Sequence, residues 1–95
     1  MTGDWVWDPR KAAANRAKHG VSFDLAVLVL GDPLALSQPD PHPDGDRWLT
    51  LGRPVAALPA LLLVVHTEPH PAGSGRIISA RRATAAERRA YERDH

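Results

Sequence analysis

The chain has 95 residues, with 12 Lys and Arg against 11 Asp and Glu, and 43% of its residues are hydrophobic. That balance, with a mean hydropathy of −0.31, describes one globular domain spanning residues 1–95 and argues against wholesale disorder. With no cysteine there is no disulfide scaffold, thiolate metal site or cysteine nucleophile. The longest apolar run, Val55 to Val65, contains Pro59 and is far shorter than the ~20 residues a membrane span needs. The start of the chain carries Asp4 and Asp8 and has no apolar signal-peptide region, so a cytoplasmic protein is expected, with no membrane partner.

In chain order, "DWVW" predicts a short aromatic strand. Asp8 followed by Pro9 reads as a helix N-cap with proline at the first helical position. The helix "PRKAAANRAKH" then runs to Gly20, a natural C′ glycine. Lys11, Asn15 and Lys18 form a polar stripe on it, and Ala13 and Ala17 are candidates for its buried face. Ser22 caps a second helix with Phe23, Ala26, Val27 and Leu30 at helical spacing, although "LAVLVL" could also form a buried strand.

Eight of the nine prolines lie between Pro33 and Pro71, which excludes long helix there. This stretch predicts strands "LALSQ", "RWLTLG", "LLLVVHTE" and "RIISARR", separated by the turns "DPHPDGD" and "PHPAGSG" and the loop "RPVAALPA". Four strands with short connections make an antiparallel meander. "LLLVV" does not alternate, so its strand is expected to be central and covered on both faces. Thr84 and Glu87 form a capping box that opens a last helix over 84–93. The order predicts an α+β two-layer sandwich: a four-stranded antiparallel sheet over roughly residues 34–82, two N-terminal helices and a C-terminal helix.

Charge is segregated along the chain. Residues 1–20 carry a net +2, residues 21–75 a net −4 and residues 76–95 a net +3. If the two ends meet, they form a basic patch. Ten of the twelve basic residues are arginine, whose planar fork grips phosphate bidentately, although codon bias would also enrich arginine.

Alternation puts Leu62, Val64, His66 and Glu68 on one face of their strand. There Glu68 could fix the His66 tautomer and raise its pKa, making a general acid or base. The alternative is a partly buried histidine satisfied at a strand end. In "RIISARR" alternation places Arg76, Ile78, Ala80 and Arg82 on one face and Ile77, Ser79 and Arg81 on the other. Arg47 shares a face with Leu49 and Leu51. Arginines at strand ends near His66 would line a cleft suited to an anionic, phosphate-bearing substrate, whereas surface ion pairing is the plainer reading. His42, His66 and His70 with Asp40, Asp44 and Asp46 match no metal-ligand spacing, so neither metal nor cofactor is expected. "GSG" lies between strands rather than before a helix, so it is no phosphate loop. Neither a nucleophile elbow nor a helix-turn-helix pattern is present.

The segments "WDPRKAAANRAKHGVSF", "LGDPLAL", "DGDRWLTLG", "LLLVVHTE" and "RIISARRATAAERRAYE", in this order, resemble the BrnT family of small toxins from Trp7 to Glu92. The resemblance implies a RelE-like ribonuclease fold and a metal-independent endoribonuclease that suppresses translation in a type II toxin–antitoxin system. It further implies a BrnA-like ribbon-helix-helix antitoxin, contact with operator DNA only through that antitoxin, and a two-plus-two heterotetramer formed from a monomeric toxin. Two features depart from the family pattern. Asp46 stands where the family often has Glu, and "RPVAALPA" replaces a shorter polar turn.

Such an enzyme would use the RNA 2′-hydroxyl as nucleophile. In that scheme His66 is a candidate for proton transfer, and Arg47, Arg76 and Arg81 for stabilising the phosphorane, with Arg81 preferred over Arg76. Lys18, His19, Arg82 and Tyr91 are candidates for RNA binding, Lys18 on phosphate and Tyr91 stacking on a base. The antitoxin would be expected over the basic ends, near Lys18, Arg81 and Tyr91. A protein-interaction module and a non-catalytic RNA binder are the alternative classes.

Overall fold

The computed structural model describes residues 5–41, 46–55, 59–67 and 75–93. The N-terminal helix α1 (Pro9–His19) begins where the Asp8 side chain accepts from Arg10 N at 2.8 Å. It ends at Gly20, whose φ of 70° is left-handed and whose N–H donates to Arg16 O at 2.8 Å. Ser22 Oγ accepts from Leu25 N at 3.2 Å and opens α2 (Phe23–Val29), so "LAVLVL" is helical. The strands are β1 (Leu36–Pro39), β2 (Trp48–Gly52), β3 (Leu62–His66) and β4 (Ile77–Arg82), followed by α3 (Ala85–Arg93). The Thr84–Glu87 box caps α3 as expected: Thr84 N donates to Glu87 Oε1 at 2.8 Å and Glu87 N to Thr84 Oγ1 at 3.1 Å.

The sheet is an antiparallel meander in the order β1-β2-β3-β4. In register, Trp48 lies opposite His66, Ser37 opposite Thr50, and Leu63 between Leu51 and Arg81. "DWVW" contributes a single parallel bridge rather than a full strand. Val6 N donates to Gly75 O at 3.0 Å and Ile77 N to Val6 O at 2.9 Å, along the outer edge of β4.

Helices cover both faces, which corrects the two-layer expectation. On one face α1 and α2 bury Val21, Phe23, Ala26 and Val29 against Leu62, Val64, Ile77 and Ala80. On the other, Tyr91 of α3 packs with Leu51, Leu61 and Leu63. The cause is the unbroken apolar run of β3, which exposes hydrophobic side chains on both faces and needs a cover on each. Each fully buried Val, Leu, Ile or Phe contributes roughly 1.5–3 kcal/mol.

Two details of the side-chain pattern also differ from expectation. Ala13 and Ala17 are exposed, while Asn15 of the supposed polar stripe is 7% exposed. Its Nδ2 donates to Val21 O at 3.0 Å and Ala80 O at 2.8 Å, and its Oδ1 accepts from Ala80 N at 3.1 Å. The amide acts as a substitute peptide on the open edge of β4 and fastens α1 to the sheet. In β4 the register shifts beside Val65 and His66, so Ser79 pairs with Val65 but Ile77 with His66. The extra residue, Ile78, breaks alternation. Ile77 and Ala80 therefore share the α1–α2 face, rather than facing opposite sides.

Candidate active site

His66 ends β3 on the α1–α2 face of the sheet and is 2% exposed. Its Nδ1 lies 2.7 Å from the Thr67 carbonyl oxygen. A carbonyl can only accept, so Nδ1 carries a proton, and in the neutral ring that burial favours Nε2 is an acceptor. Thr50 Oγ1 lies 2.6 Å from Nε2 and donates to it. Ser37 Oγ is 2.8 Å from Thr50 Oγ1 and, with the Thr50 proton committed, donates to it. The row Ser37, Thr50, His66 thus crosses three strands from an exposed edge to the interior. Trp5 meets the imidazole edge-on at 5.3 Å and 84°. Gly75 permits this approach, since a Cβ there would lie 2.8 Å from the Trp5 ring and 2.9 Å from Thr67 Oγ1.

Burial lowers the His66 pKa from its ordinary value and outweighs the opposing hydrogen bond to Thr67. The expected upward shift is therefore replaced by a downward one, and the Thr67 carbonyl holds the tautomer. Glu68, His42, His70 and Asp44 lie outside the described residues. Among the described residues no three His, Asp or Glu side chains come together in a metal-binding group.

The candidate cations divide between the two ends of the sheet. Arg47 immediately precedes Trp48, the residue opposite His66, and Arg76 precedes Ile77, the other residue paired with His66. Arg47 is half-buried and Arg76 exposed. The Arg76 N–H donates to Thr67 Oγ1 at 2.9 Å. Arg82 and Arg81 pair instead with Leu62 and Leu63 at the start of β3, and Leu62 is roughly 13 Å along the strand from His66. Helix α1 runs along β4 in the same direction, with Val6 beside Ile77 and Asn15 beside Ala80. Lys18 and His19, one turn past Asn15, thus belong to the Arg82 end. The N- and C-terminal segments do meet along β4, with Arg76 at the His66 end and Arg82, Lys18 and His19 towards the other.

Two candidates change character. Arg81 NH1 and NH2 donate to Glu87 Oε1 and Oε2 at 2.8 and 2.9 Å. Glu87 is held down to about 2, first by this bond and then by the Thr84 N–H and the Arg81 charge, against the cost of burial. Leu63, the residue opposite Arg81, packs with Tyr91 under α3, so Arg81 alternates onto the face away from His66. It does not join His66, and the preference for Arg81 over Arg76 is reversed on position. Tyr91 is 4% exposed. Its hydroxyl donates to Asp32 Oδ2 at 2.9 Å, and the Arg53 guanidinium lies 5.6 Å from its ring centroid. A ring so enclosed is not available to stack on a base.

Asp32 was not singled out in the sequence. It accepts from Arg53 N at 2.8 Å, Leu34 N at 2.9 Å and Tyr91, tying the β1 approach to α3. Burial would raise its pKa, but these bonds and the Arg53 charge bring it below the usual value. The Asp32-Pro33 pair, with a side chain bonded two residues on, is its local signature. Thr50 and Ser37 were also missed. Thr50 offers only a hydroxyl at an inward position of an apolar strand, Ser37 a hydroxyl on an exposed edge strand, and their link to His66 depends on register. A groove of about 190 Å³ beside α3 is lined by Leu36, Leu49, Leu51, Leu63, Ala90 and Glu87, with Ser37 and Gln38 of β1 at its edge. Its one titratable group, Glu87, is committed to Arg81, so acid–base chemistry is better placed at His66.

An α+β fold with three helices and an antiparallel four-stranded sheet also matches a solved ribonuclease toxin. The chain is similar to the BrnT ribonuclease toxin of Brucella abortus, known at 1.1 Å, with a TM-score of 0.62 and 27% identity. The match covers 83% of this chain and 94% of that one. The family model described as the ribonuclease toxin BrnT of type II toxin–antitoxin systems matches residues 7–87. The chain belongs to the BrnT family. No curated protein matches it.

Proposed function

We propose that this toxin is a metal-independent endoribonuclease that cleaves RNA by attack of the 2′-hydroxyl on the adjacent phosphodiester. The internal nucleophile removes the need for an activated water. What remains is to accept the 2′ proton, protonate the leaving 5′ oxygen and stabilise the extra charge of the phosphorane. The observation that carries this reading is the buried His66 imidazole, held with Nδ1 2.7 Å from the Thr67 carbonyl and Nε2 2.6 Å from Thr50 Oγ1. Its lowered pKa keeps it unprotonated near neutrality, as a general base requires. Arg47, next to the β2 residue opposite His66, supplies charge stabilisation, and Arg76, at the far edge of the sheet, a further phosphate contact. Lys18, His19 and Arg82 extend phosphate contacts along the basic end.

In this reading the fold is a RelE-like variant and the protein works in the cytoplasm. A BrnA-like ribbon-helix-helix antitoxin neutralises it in a two-plus-two complex and carries the operator contacts. The burial of His66 favours a second reading, an RNA binder in which the histidine only completes the core. Purified protein and a defined RNA separate the two. His66→Gln and Arg47→Ala should each slow cleavage at least about 100-fold with RNA affinity retained. RNA retention without any cleavage by the unaltered chain would favour the second reading.

A further inference from the structure

The proposed chemistry leaves one difficulty, which the hydrogen-bonded row across the sheet resolves. A base that is 2% exposed cannot touch a phosphodiester, and its acceptor nitrogen points at Thr50 rather than at solvent. Thr50 is itself 3% exposed, but Ser37, on the edge strand β1, is exposed. The two links, 2.6 and 2.8 Å, are both within strong hydrogen-bond range for hydroxyl donors. Neither hydroxyl is needed for folding in the way a backbone group is, since Val or Ala would fill the same strand positions. A buried polar row that spans three strands and reaches the surface at one end is costly unless it is fully satisfied, and this one is.

We propose that Ser37 and Thr50 relay the proton between RNA and His66, with Ser37 Oγ as the atom that meets the substrate 2′-hydroxyl. This rests on the reading of His66 as the proton acceptor. The transfer balances with no co-reactant other than solvent water. The 2′-hydroxyl passes its proton to Ser37 Oγ, the Ser37 proton moves to Thr50 Oγ1, and the Thr50 proton moves to His66 Nε2. The new O–P bond forms as the 2′ oxygen loses its proton, both hydroxyls are regenerated, and the imidazolium keeps Nδ1–H on Thr67. Every hydrogen bond in the row then points the other way; the 5′ oxygen, leaving opposite the 2′ oxygen, takes its proton from solvent water, and the imidazolium returns its own to solvent along the same row. Ser37 is thereby a catalytic residue, and Thr50 a positioning residue that acts through His66.

Single-turnover and steady-state cleavage of one synthetic RNA by the full chain test this, with Ser37→Ala, Ser37→Thr, Thr50→Val, Thr50→Ser and His66→Gln compared. Ser37→Ala, at an exposed position that leaves the core untouched, should lower kcat about 10- to 100-fold with KM within about twofold. Ser37→Thr and Thr50→Ser, which restore a hydroxyl, should recover most of the rate, while Thr50→Val should not. A purely structural row would make activity follow the melting temperature rather than the presence of the hydroxyl. Full activity in Ser37→Ala, or a raised KM at unchanged kcat, with His66→Gln inactive, overturns the relay and leaves His66 standing. An active His66→Gln overturns the reading beneath it as well.

Discussion

Replacing Asn15 with alanine should be among the most damaging single changes in the α1 helix. The substitution leaves Val21 O, Ala80 O and Ala80 N–H without the partners now at 3.0, 2.8 and 3.1 Å. An unsatisfied buried backbone group costs about 1–3 kcal/mol, and partial access of water to the sheet edge puts the total near 3–4 kcal/mol. A domain of this length has roughly 5–14 kcal/mol to lose. Urea unfolding should show that decrease at unchanged m, and the melting temperature should fall by about 15–20 °C. Amide hydrogen exchange at Ala80 should accelerate most, because its N–H loses its one partner outside the sheet. Ala17→Ser, exposed on the same helix, is the control and should change stability by no more than about 0.5 kcal/mol. A loss under about 1 kcal/mol for Asn15→Ala, with Ala80 still protected, would refute the edge-closing role.

Glu87→Gln should destabilise by about 1–2 kcal/mol at pH 7, less than a carboxyl held to about 2 would give unscreened, since both partners are partly exposed. Because the folded pKa is depressed, that contribution is present above the ordinary value of 4.5 and is lost as pH falls towards 2; acid titration of the variant should lack it. His66 acts with the same sign. Its pKa is lowered from 6.5, so the unfolded chain binds the proton more readily and stability declines as pH drops below 6.5. Unfolding measured from pH 8 down to pH 5 should show that slope in the parent and lose it in His66→Gln. Gly52→Ala should cost about 1–3 kcal/mol in a thermal melt, because the new Cβ would sit 3.0 Å from Asp32 Oδ2 and 3.1 Å from Val29 Cγ1.

What was legible in the sequence was local. Asp8-Pro9, Gly20, Ser22 and the Thr84–Glu87 pair act within a few residues of themselves, so the helix ends follow from the residues alone. The proline-punctuated middle likewise yields the meander. Asn15 was misread because its partner Ala80 lies 65 residues away, and on an exposed helix a polar residue faces water by default. Alternation failed in β4 because the bulge at Ile78 is a property of pairing with β3, not of "RIISARR". For the same reason His66 could be singled out from its own strand, but its neighbours could not. Thr50 and Ser37 reach it through register, and the separation of Arg81 from His66 needed strand positions as well as strand order.

The central claim is that RNA is cut by its own 2′-hydroxyl with His66 taking the proton. The most direct measurement places this protein, in excess EDTA, with an RNA oligonucleotide and its match bearing a single 2′-deoxy sugar at the cleaved position. The account predicts cleavage of the first to a 2′,3′-cyclic phosphate and a 5′-hydroxyl end, no cleavage of the second at that position, and loss of both products in His66→Gln. Cleavage of the deoxy substrate, 3′-hydroxyl products, or activity that disappears in EDTA and returns with a divalent cation would contradict it.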